Sequence, residues 1–116
     1  MLTTPPVAPP PPSALLLEQV SKLTADAAVT AARAWCESQN GGLSTKTKLH
    51  GGGQIAELFE LWQICAGQVD FYAVARAGGI RLLRERFGED ISAQTIAALV
   101  DTTLEILQKA VRSELN

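Results

Sequence analysis

Between Ile55 and Arg76 the chain sets down apolar residues in a continuous three–four rhythm. Ile55, Leu58, Trp62, Cys65, Val69 and Tyr72 form one stripe, which Phe59, Ala66 and Ala73 widen. Leu61, Ile64, Phe71 and Val74 occupy much of the opposite side. A helix that is apolar most of the way round must be surrounded by other helices or by a second chain. The spacing therefore predicts one long central helix with more apolar faces than a small bundle can cover.

Two further stretches repeat the helical period. Ser13 is the expected N-cap of a first helix that runs to about Ser38, along Leu16, Val20, Leu23, Ala27, Thr30 and Ala34. Its alanine-rich middle favours helix and lets a neighbouring backbone come close. Asn40-Gly41-Gly42 stops it. Near the C-terminus Ile96, Val100, Thr103, Leu107 and Ala110 make a stripe, with Asp101, Glu105, Gln108 and Arg112 marking a solvent face. Asp90 or Ser92 is the expected cap of that helix. Gly78-Gly79 is expected to end the central helix and to leave a short helical piece over Ile80–Phe87. No stretch carries the two-residue alternation of a strand. The expected fold is thus all-α, a small bundle of three main helices plus one short helix, completed by oligomerisation or a partner.

Length and charge narrow the possibilities. A chain of 116 residues fits one domain. All six prolines lie in the first twelve residues, so residues 1–13 are expected to be an extended, disordered arm and residues 14–116 the helical domain. Without a flanking Arg or Lys to orient it, the arm is expected to be a plain tail rather than a polyproline ligand. A formal net charge of −2 argues against a general electrostatic grip on nucleic acid. No apolar run approaches the roughly 20 residues of a membrane span, and no basic leader precedes an apolar core. A cytoplasmic protein is expected, with Cys36 and Cys65 as buried free thiols.

Chemistry-bearing residues are sparse. The stretch Leu43–Gly53 is expected to be a loop carrying Lys46, Lys48, the sole histidine His50 and three glycines. Glycines opening onto a helix N-terminus suit an anion, but the stretch lacks the spacing of a phosphate-binding loop. Gly52-Gly53-Gln54 resembles the tripeptide with which peptide-release factors hydrolyse peptidyl-tRNA. The resemblance covers three residues, and the amphipathic Ile55-Ala56-Glu57-Leu58 that follows shares nothing further with that family. It therefore implies no hydrolase activity. Arg76, Arg81, Arg84 and Arg86 cluster within eleven residues and suit phosphate or carboxylate recognition.

His50 has no base, nucleophile and orienting group around it that make a catalytic set. Glu57 and Glu60 are expected near a helix start, where carboxylates suit the dipole. Mid-helix Gly67 is expected to mark a close backbone crossing against the first helix. No metal ligand set, no cofactor and no enzyme activity are expected. The expected role is a non-catalytic interaction subunit or scaffold, as a homo-oligomer or in a larger complex, touching its partner through Leu61, Ile64, Phe71 and Val74. The alternative is a nucleic-acid-associated subunit that contacts phosphates through Lys46, Lys48, His50, Arg76, Arg81, Arg84 and Arg86.

Overall fold

In the computed structural model the chain is an all-α bundle, described over residues 13–115. The proline-rich arm expected at residues 1–13 lies outside the described residues except for Ser13. Four helices follow in order: α1 Ala14–Gln39, α2 Thr45–Cys65, α3 Phe71–Phe87 and α4 Ala93–Leu115. No helix among the described residues is long and apolar enough to cross a membrane.

Local chemistry sets most of the boundaries. The Ser13 hydroxyl accepts a hydrogen bond from the Leu16 amide, as expected for its cap. At the other end of α1 the Gly42 amide donates to the Glu37 carbonyl at 3.0 Å, with Gly41 and Gly42 both at positive φ. Ser92, not Asp90, caps α4: its hydroxyl accepts from the Thr95 amide.

Two expectations about the middle of the chain are corrected. The stretch Leu43–Gly53 is not a loop, because Ser44 accepts from the Thr47 amide and starts α2 nine residues early. Gly51, Gly52 and Gly53 are therefore helical. The long central helix is in fact two. It breaks at Gly67, whose φ of +79° is comfortable only for glycine, and Asp70 caps α3 by accepting from the Ala73 amide at 3.2 Å. The apolar rhythm survives the break because α2 and α3 both turn their buried faces to the same core. Consequently α3 runs straight through Gly78-Gly79, and Ile80–Phe87 is its second half.

The close crossing expected at Gly67 lies elsewhere. A Cβ on Gly67 would meet nothing, whereas one on Gly78 would collide with the Ser21 side chain. One on Gly79 would sit 2.9 Å from Thr24 Cγ2. These two glycines let α3 lie directly on α1, and that pair makes the most extensive contact in the fold. Ser21 and Thr24 tolerate burial there because their hydroxyls donate back to the Leu17 and Val20 carbonyls of their own helix.

Both α1 and α4 touch every other helix, and α2 and α3 flank them. Leu58, Leu83, Ile96 and Leu107 are the largest fully buried side chains, each contributing about 2 kcal/mol by removal from water. The slightest of the main contacts is between α2 and α4. The surface opens there.

Candidate functional site: an apolar groove between three helices

The sequence-predicted interface residues do not share a face. Leu61 is 7% and Phe71 4% exposed, and both belong to the chain's own core. Val74 is half-buried, and Ile64 alone is well exposed, at 57%. The reason is the break at Gly67. With it, Leu61 and Ile64 lie on one helix and Phe71 and Val74 on another, each with its own inward direction.

The apolar surface lies instead where α2 and α4 part. A groove of about 450 Å³ opens there over α1. Ala27, Ala31 and Ala34 of α1 form its base. Gly51, Gly52 and Ile55 line the α2 side, and Thr103 and Ile106 the α4 side. The small residues on α1 and α2 make the groove; side chains the size of leucine would fill it. Leu43 and Ile106, at 41% and 44% exposed, sit at its margin. Trp35 follows Ala34 on α1 and Leu49 follows Lys48 on α2, at 65% and 71% exposed. Sequence reasoning missed this surface because it assigned Leu43–Gly53 to a loop. The Ser44-x-x-Thr47 cap was the available signal.

A second depression of about 580 Å³ shares Gly52 and Ile55 with the first and continues along α2 and α4. It passes Phe59 and Ala110 and ends at Glu60 and Glu114. Phe59 stacks on Trp62, with ring centroids 5.9 Å apart.

A polar cluster closes the α1–α2 corner. Ser44 and Thr47 lie 2.8 and 3.0 Å from Glu37 Oε1 and donate to it. The hydroxyl of Thr47, then that of Ser44, holds the Glu37 carboxyl below its ordinary value of 4.5. Arg33, Lys46 and His50 line the same corner. Buried Gln54 lies 3.3 Å from His50, nitrogen to nitrogen, and its Oε1 has no hydrogen-bond partner among the described residues. The Gly52-Gly53-Gln54 tripeptide is thus inside a helix with its glutamine turned inward, unlike a residue presented to a substrate.

The arginine cluster is largely committed to acidic neighbours. Arg76 Nε donates to Asp101 Oδ1 at 2.7 Å, and this hydrogen bond first, then the carboxylate's charge, raises the Arg76 pKa. Arg81 reaches Glu18 at 2.8 Å and Glu85 at 3.5 Å. Arg86 lies 3.8 Å from Asp26 and over the Phe87 ring. Arg84 has no ion-pair partner among the described residues. Lys46, Lys48 and His50 lie on α2 and the arginines on α3, helices that make no substantial contact.

Among the described residues no group of three or more His, Cys, Asp and Glu side chains is placed to hold a metal ion. Cys65 is fully buried and burial pushes its thiol pKa up, whereas Cys36 is exposed, contrary to the expectation that both are buried. Comparison with protein-family models, curated proteins and solved structures gave no match to this chain.

Proposed function

We propose that the protein is a small, non-catalytic helical interaction subunit that works within a homo-oligomer or a larger complex. The contact it makes is through the apolar groove between α1, α2 and α4. The observation that carries this reading is that groove. It is open, lined mainly by alanine, glycine and aliphatic side chains with Thr30, Thr47, Lys48 and Thr103 among them, and includes exposed Leu43 and Ile106. Apolar concavities rimmed by exposed large side chains are characteristic of surfaces that receive another protein. An amphipathic helix is the fitting occupant, since it delivers apolar side chains at the spacing of a groove between helices.

Ala31→Glu tests the reading, because it puts a charge in the groove at a half-buried position. The variant should keep the helical circular dichroism of the parent and lose self-association or the complex purified from the native host. A parent chain that stays monomeric and purifies alone would overturn the proposal. So would an Ala31→Glu variant that still recovers the parent's complex from the native host.

A further inference from the structure

The outward face of α2 identifies one occupant by its own chemistry. Gly52 and Gly53 are interior helix positions, where glycine is unfavourable relative to alanine. Gly51 has a reason within the chain, since a Cβ there would touch Thr30 Cγ2 at 3.4 Å. A Cβ on Gly52 or Gly53 would meet nothing, so no packing inside the chain requires them. Leu49 and Ile64, 71% and 57% exposed, lie towards opposite ends of the same helix.

The charges are the second, independent observation. On this face Lys46 lies in the first turn of α2, while Glu57 and Glu60 lie in its C-terminal half; Lys48 turns to the groove instead. With α2 starting at Thr45, the two glutamates are far from any helix start. A helix dipole favours the reverse: acids at the N-terminus and bases at the C-terminus. The face thus runs from basic through glycine to acidic, against its own dipole. Its complement is the same face turned end for end.

We propose that α2 pairs antiparallel with α2 of a second copy of this chain, about a two-fold axis beside Gly53. Lys46 and Glu60 each lie seven residues from Gly53 and on the same flank of the helix. The two-fold axis therefore sets Lys46 against Glu60 of the partner subunit, twice. Leu49 and Glu57 are each four residues from Gly53, so the axis sets Leu49 opposite Glu57 of the partner subunit, its side chain leaning away from the axis along the partner helix. Small residues at the crossing allow the helix axes to approach at the short end of the usual 8–10 Å. The antiparallel arrangement opposes the two dipoles, and the isologous contact closes at two chains. The pairing rests on the interaction-subunit reading and adds to the groove a second contact surface, on another side of α2, whose partner is a second copy of this chain.

A charge-swap experiment on the full chain tests it. Lys46→Glu and Glu60→Lys should each weaken the homodimer about tenfold in sedimentation, because both symmetry-related pairs turn repulsive. Mixed in equal amounts, the two variants should regain the parent affinity as a heterodimer, in which every pair is again opposite in sign. Gly53→Cys in a Cys36→Ser background should form a disulfide-linked dimer on mild oxidation, as it sits on the axis. Gln63→Cys, ten residues away along the helix, should not. A dimer that ignores both reversals and does not cross-link through position 53 overturns this pairing and leaves the groove-based reading standing. A parent chain still monomeric at about 100 µM overturns self-pairing altogether.

Discussion

A Cβ at Gly78 has nowhere to go, because the Ser21 side chain already occupies its place on α1. Gly78→Ala should therefore destabilise the fold by about 2 kcal/mol, overpacking outweighing the better helix propensity of alanine. Thermal unfolding of the variant checks this. Gly67→Ala should also be destabilising, by about 1 kcal/mol, but through a positive φ rather than through a clash. Gly67→Asn should recover part of that loss, and the same recovery should fail at position 78.

Glu37 shows a second residue-scale effect. The hydroxyls of Thr47 and Ser44 stabilise its ionised form in the fold. A carboxyl whose folded pKa is depressed contributes its stability fully above the unfolded value. That contribution is lost as pH falls through the folded one. The Glu37 contribution should thus be complete above pH 4.5 and fade below it. Urea unfolding at pH 6 and pH 3.5 should show a smaller acid loss in Glu37→Gln than in the parent.

At the scale of elements, each helix begins on a short polar cap: Ser13, Ser44, Asp70 and Ser92. The caps at Ser44 and Asp70 decide the topology, since they convert an apparent loop and one long helix into two helices of similar weight. Asp70→Ala should cost about 1 kcal/mol by leaving the Ala73 amide without its acceptor. It should do so with little change in helix content, which circular dichroism beside chemical denaturation will separate. The apolar period could not reveal the break, because only five residues, Ala66–Asp70, separate the two helices and both face one core. The local signals were nonetheless in the sequence: a glycine followed three residues later by an aspartate.

For the whole molecule, the packing of the four helices determines which charges are available. Folding brings Arg76 to Asp101, Arg81 to Glu18 and Arg86 to Asp26, residues up to 63 positions apart. The cations without such partners among the described residues that remain from the expected nucleic-acid set are Lys46, Lys48 and Arg84, on two different helices. Binding to DNA or RNA through those three would lose affinity with salt at a slope of only about −3 on logarithmic axes. Weak filter binding with that shallow slope, or none, is the expected result. A slope near −6 would favour the nucleic-acid alternative.

The amino-acid sequence by itself determined the helical class, the ends of α1 and the stripe of α4. Those depend on caps, glycines and periodicity, which act within a few residues. It also marked Leu58, Cys65, Ile96, Val100 and Leu107 as inward positions, and all are buried. Only the tertiary structure decided where the surface lies. Leu61 and Phe71 look outward on one continuous helix and turn inward once Gly67 splits it. Gly51 and Gly52 look like loop residues and become one side of a groove once α2 packs along α1. Whether an apolar or small residue is core or surface depends on which neighbour covers it. That neighbour is fixed by contacts between distant parts of the chain, above all by the close seating of Gly78 and Gly79 on α1.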